Sequence, residues 1–158
     1  MLKPSRDLSE FLFRFLFCLI FVGLGGEHIL DDTLIQKLMP DWVPYKRLVS
    51  FGCGVWLAGW GMLILVGWKV NWAAVALGAF LILVTAAVHV PGLFFFPTGL
   101  SPENYWMWDI LQRTNLVKNL CLLGVCFHLL NHELRRFSLE HYLNSRKSSE
   151  VYHSSNKN

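Results

Sequence analysis

An all-α membrane fold, a four-helix transmembrane bundle with a C-terminal amphipathic extension, is predicted by three observations. The stretch from Leu48 to Trp68 carries no charged residue. At about 1.5 Å per residue a helix of that length reaches roughly 31 Å, close to the hydrocarbon thickness of a bilayer. Trp72 to Val90 repeats the pattern, with His89 as its only ionisable group. The third observation is composition: the 158 residues are 54% hydrophobic, 15% aromatic and 16% charged, more apolar than an ordinary soluble domain. Helices that are apolar on every face are stable only where lipid is the solvent. The net charge of +3 is modest. Its basic residues sit at the ends of apolar runs, which sets nucleic acid aside as a partner.

Residues 1–144 read as one membrane domain, with helices at about 8–30, 48–68, 72–90 and 115–143, followed by a Ser-, Lys- and Asn-rich tail over 145–158 that is expected to be disordered. Helix one is a retained span rather than a signal peptide. Arg14 interrupts its apolar run, Gly23-Leu24-Gly25-Gly26 is followed at once by Glu27-His28, and Phe17 before Cys18 is too large for a lipoprotein cleavage site. Arg14, Cys18, Phe21, Gly25 and His28 recur at helical steps and share a face. An arginine in lipid costs several kcal/mol, so that face either looks into the bundle or lets Arg14 snorkel to an interface.

The connection Asp31 to Arg47 ends in Met39-Pro40-Asp41-Trp42-Val43-Pro44-Tyr45. Its two prolines forbid a regular helix there, while Trp42 and Tyr45 suit the headgroup level. In helix two, Ser50, Gly54, Ala58 and Gly61 form a stripe of small residues that lets a neighbouring helix approach closely. Helix three places Asn71, Gly78, Thr85 and His89 on one face and is expected to end at Pro91. The aromatic clusters Phe94-Phe95-Phe96 and Tyr105-Trp106-Met107-Trp108 look interfacial, and Pro102 to Gln112 reads as a short helix lying on the membrane, capped by Ser101. Helix four opens with Lys118 and Asn119 and is expected to run on past Leu130 as an amphipathic surface helix.

Four spans put both termini on one side. Lys3, Arg6, Lys69, Arg135, Arg136, Arg146 and Lys147 lie on that side, against Lys37, Lys46, Arg47 and Arg113 on the other. The excess of basic residues places both termini in the cytoplasm of a multi-pass plasma membrane protein, in a bacterium the inner membrane. In that orientation Glu27, His28, His89, Arg113, Lys118 and Asn119 gather near the outer leaflet, with Asp109 close by. Two readings stand side by side. The groups pair with one another and fix the helix ends, or they line a pocket for a small molecule.

His128 and His132 have the i, i+4 spacing of two metal ligands on one helix face, with Glu133 beside them, but no third ligand lies nearby in sequence and no metal is expected. The cysteines Cys18, Cys53, Cys121 and Cys126 all fall in apolar runs without a CxxC spacing and read as packing residues. Whether Cys53 and Cys121, both toward the outer side, approach each other is left open by the sequence.

Over roughly Phe11 to Leu130 the chain resembles the DoxX family of small four-helix membrane proteins. Arg14 matches the arginine near the start of that family's first helix, and Gly25-Gly26-Glu27-His28 resembles the residues that close it. Met39-Pro40-Asp41-Trp42-Val43-Pro44 resembles the proline-bracketed stretch before helix two in one branch. Gly54, Gly59 and Gly61 sit where the second helix has glycines, and Lys118-Asn119 followed by Gly124 resembles the opening of the fourth. There is one departure: many members carry a glutamate in helix two shortly after the glycine matched by Gly54, and Trp56-Leu57 stands there instead. The resemblance implies a subunit or accessory of a membrane redox system, with a membrane redox protein as partner. A quinone-like or small anionic ligand would meet Arg113, Lys118, His89 and His28 near the outer leaflet, and a second copy of the chain is a further candidate partner. Lacking CxxC, a haem-ligand pair or a nucleotide fingerprint, such a protein borrows its electrons. The alternative is a non-catalytic membrane scaffold.

Overall fold

The computed structural model describes residues 5–97, 100–131 and 137–146. Among them all regular structure is helical. Four long helices, α1 (Arg6–Leu30), α3 (Lys46–Val66), α4 (Val70–Gly92) and α5 (Tyr105–Leu130), pack side by side, with the short α2 (Thr33–Leu38) in the first connection and a helical segment over 139–146, here α6. Three of them, α1, α3 and α4, are long and apolar enough to cross a membrane. The fourth long helix, α5, matches them in length but carries Asp109, Arg113 and, at its midpoint, Lys118.

Neighbouring long helices run antiparallel, so one end of the molecule gathers the start of α1, the α3–α4 turn and the end of α5. The helices pack as two tight pairs, α1 with α3 and α4 with α5, joined by α3 against α4. The first pair closes on glycine: a Cβ on Gly25 would lie 2.8 Å from Ala58 N and from Gly54 O. The face carrying Arg14, Cys18, Phe21 and Gly25 is buried, as is the stripe of Ser50, Gly54 and Gly61 that meets it. Phe17, Phe21, Leu57, Ile64, Leu77, Leu81 and Leu129 form the apolar core between the pairs.

Three boundaries differ from those expected. Pro91 does not end its helix. A π-helical turn over Thr85–His89 shifts the ladder by one residue, so Val90 N donates to Thr85 O and the helix carries the proline through to Gly92. No separate surface helix lies over 102–112 either. After a 3₁₀ turn at Pro102–Asn104, α5 starts at Tyr105 and runs unbroken through Lys118 to Leu130. It buries Trp108, Gln112, Asn119, Cys126 and Leu129 along one face, a line visible only when 105–130 is taken as one helix.

The third difference is at the C-terminal end. The helix stops at Asn131, its C-cap, instead of continuing to residue 143. Residues 137–146 fold back under the α3–α4 turn: Glu140 N donates to Gly67 O at 3.3 Å, and Lys69 N donates to Glu140 Oε2 at 3.3 Å. Ser138 is buried, and its hydroxyl accepts from His141 N at the start of α6. Ser145 and Arg146 are helical, and the rest of the expected tail lies outside the described residues.

Arg14 pins this end together. It is fully buried, its Nη1 donates to Leu65 O at 3.2 Å and Ile64 O at 3.4 Å, its Nη2 donates to Phe137 O, and its Nε faces Glu10 Oε1 at 3.3 Å. Gly67 closes α3 in the left-handed region at φ +69, and its successor Trp68 N reaches back to Leu63 O. The last α3 carbonyls have no partner in their own helix, and the guanidinium supplies one. Of the two fates open to Arg14 from sequence, the structure has the inward one.

Candidate functional site

At the opposite end, the six polar residues expected to cluster divide between the two helix pairs. His28 Nδ1 is 3.0 Å from Ser50 Oγ, which ties α1 to α3. Beside it Asp32, 1% exposed, is held by Gln36 Nε2 at 2.9 Å and by Arg47 Nη1. Burial pushes the Asp32 carboxyl up, and hydrogen bonds from Gln36, Arg47 and Ser50 outweigh it, so the group titrates below the usual carboxylate range. Glu27 lies on α1 one residue before His28 and takes no part in these bonds.

The second group joins α4 to α5. His89 Nδ1 is 2.8 Å from Gln112 Oε1, Asn119 Nδ2 donates to Thr85 Oγ1 at 3.0 Å, and the Trp108 indole donates to Gly92 O at 2.8 Å. Lys118 Nζ is taken up by Asn115 Oδ1 within its own helix at 2.8 Å, and Arg113 pairs with Asp109 on the exposed side of α5. So the arrangement expected from sequence, in which Arg113, Lys118, His89 and His28 converge on one ligand, does not form. Each works inside its own helix or helix pair.

Between the first connection and the adjoining end of α4 and α5 lies a cavity of about 320 Å³, within the range of small-molecule sites. One wall is the Met39–Trp42 stretch with Lys37 of α2. The other is the π-helical turn at Ala87 and Val88, with Pro91, Phe95 and Trp108. Each wall is backed by one polar group. Lys46 Nζ holds the first by donating to Met39 O at 2.9 Å and facing Asp41 at 3.5 Å, with Asp32 and Arg47 behind it. The His89–Gln112 and Trp108–Gly92 bonds hold the second. With its N–H already engaged, Trp108 offers the cavity an apolar ring.

Lys37 is exposed on the rim and has no acidic partner among the described residues. Asp41 is neutralised by Lys46. The rim therefore keeps one uncompensated positive charge above an aromatic floor.

Sequence reasoning missed Lys37, Gln112 and the lining role of Trp108 and Phe95. A signal existed for Gln112, since it shares the seven-residue line with Asn119 and Cys126 that marks the inner face of α5. All four cysteines are free thiols, so Cys53 and Cys121 do not pair. Among the described residues no set of His, Cys, Asp and Glu could hold a metal ion. His128 packs edge-on against Phe13, and His132 and Glu133 lie outside the described residues. Comparison of the chain with known protein families, curated proteins and solved structures gives no match.

Proposed function

We propose that the chain is a DoxX-like integral membrane protein that crosses the bilayer four times, with both termini in the cytoplasm, and serves as a subunit or accessory of a quinone-linked redox system. The observation that carries this reading is the cavity between the first connection and the end of the α4–α5 pair. Trp42, Phe95, Phe96 and Trp108 are among its lining residues, and it lies at the membrane end expected to face outward, where a ring carried on a lipid tail can enter from the bilayer. Its volume and its aromatic side chains suit a quinone ring, and Lys37 can donate to a ring oxygen at the rim. A bound quinone supplies electron and proton uptake. The protein's own part is to seat the ring and to leave electron delivery to a partner subunit. Span four is supplied by α5, whose 26 residues reach about 39 Å. Its lysine and asparagine are satisfied within the protein rather than by lipid.

A scaffold reading is favoured by a different surface. The α3 face bearing Gly52, Val55, Trp56, Gly59 and Trp60 points away from α1 and forms a shallow apolar groove, and a Cβ on either glycine would meet nothing within 4 Å. The stripe of Ser50, Gly54, Ala58 and Gly61 is already used internally, so a partner helix would have to take this outer groove. Purification from native membranes in mild detergent, read by visible absorption and by mass spectrometry of co-purifying lipids and proteins, separates the two readings. Bound quinone with a redox protein is the expected result. A colourless preparation carrying only phospholipid and a helical partner supports the scaffold.

A further inference from the structure

We propose that the rim lysine, Lys37, selects the ligand: the cavity takes a planar amphiphile whose ring lies against Trp108, Phe95 and Trp42 and whose acceptor oxygen meets Lys37 Nζ. This deepens the reading of the cavity as a ligand seat and rests on it. Charge complementarity carries the argument. Three cations, Lys37, Lys46 and Arg47, stand near this wall, and two are already committed, Lys46 to Asp41 and Met39 O and Arg47 to buried Asp32. Only Lys37 remains, at the mouth of a cavity whose other lining is rings and aliphatic groups apart from Asp41, and that carboxylate faces Lys46 at 3.5 Å. A cation at the edge of an apolar seat favours an oxygen with negative charge or strong acceptor character, and the ring behind it gains contact with the aromatic walls. A quinone carbonyl and an aryl carboxylate share this chemistry.

The test uses the full chain in lipid nanodiscs, titrated with a decyl-substituted benzoquinone and, separately, with a 4-alkylbenzoate, and read by saturable quenching of tryptophan fluorescence. Wild type is expected to bind both. Val88→Trp, which fills the cavity, is expected to abolish both. Lys37→Gln is expected to weaken the carboxylate by about fivefold to tenfold and the quinone by less, as loss of a charge that is partly solvated should. Unchanged unfolding temperatures for both variants show that the fold is kept.

Carboxylate affinity that does not change in Lys37→Gln overturns the inference. Saturable binding of the benzoate with none of the quinone supports the lysine-headed site and removes the quinone-linked reading. Failure of both probes to saturate in a Val88-dependent way overturns the inference, and quinone co-purifying from native membranes would then leave the redox reading standing on a different seat.

Discussion

Arg14 and Glu10 are both withdrawn from solvent, so each depends on the other. Truncating Arg14→Ala removes the ion pair with Glu10 and takes the guanidinium away from the carbonyls of Ile64, Leu65 and Phe137 at once, leaving Ile64 O only its bond from Gly67 N. Removing one partner of a buried pair costs about 3–5 kcal/mol, and thermal unfolding in detergent should show a loss of that order. Arg14→Lys keeps the charge but not the planar fork that reaches several carbonyls, and should fall between wild type and Arg14→Ala. Asp32 gives a pH prediction. Its folded titration lies below the unfolded one, so its stabilisation is complete above the unfolded carboxylate range and is lost as pH falls below about 4. In Asp32→Asn that acid-side loss should disappear from the unfolding-temperature profile, and persistence of the full loss would assign it to another group. The inward face of Arg14 could be read from spacing, but its partners could not. Backbone carbonyls at residues 64, 65 and 137 have no side-chain identity for a sequence pattern to display.

Helix contacts give a matched pair of substitutions. A Cβ on Gly54 would lie 2.7 Å from Ile29 Cγ1 and 2.8 Å from Gly25 O, and Gly25 and Gly54 belong to helices that cannot move apart without opening the core. Gly54→Ala should destabilise by about 1–3 kcal/mol, whereas Gly59→Ala, five residues on and facing outward, should stay within about 0.5 kcal/mol. Equal effects at the two sites, measured by thermal unfolding, would remove the assignment of the inner face of α3. The small-residue stripe made this packing legible, since without a hydrophobic effect in lipid close approach has to come from backbone against backbone. The course of α4 and α5 was not legible in the same way. Proline at 91 and the polar run from Asp109 to Asn119 both argue locally for a helix end. Tertiary structure overrides them, through a π-turn in one case and through His89, Thr85 and Gly92 answering Gln112, Asn119 and Trp108 in the other.

Across the whole molecule the two ends do different work. One end is sealed by Arg14, Gly67 and the returning 137–146 segment, and the other holds the cavity between the first connection and the end of the α4–α5 pair. Cutting the chain after Asn131 removes the Phe137 carbonyl from Arg14 and the Glu140 bonds from the α3–α4 turn. The truncated protein should unfold at a lower temperature. Combining the cut with Arg14→Ala should cost less than the sum, because both changes remove the same contact. Full additivity would show that the returning segment stabilises the fold by another route. The helical, apolar character was the most readable level, because three of the long apolar runs form helices long enough to cross a membrane. The cavity was the least readable, because its walls come from stretches far apart in the chain that share no pattern until folded.

The arginine pin also constrains how the protein can be made. Helix α1 leaves the ribosome first, carrying an arginine and a glutamate within one turn of each other, yet the carbonyls that satisfy the arginine are synthesised some fifty and then more than a hundred and twenty residues later. In the membrane placement proposed above, the nascent first helix is until then a poor lodger in hydrocarbon and waits at the insertion machinery or at the interface. On that placement, completion of the 137–146 segment releases the first helix, and a chain that stalls in between keeps an arginine that lacks the Phe137 carbonyl inside the bilayer.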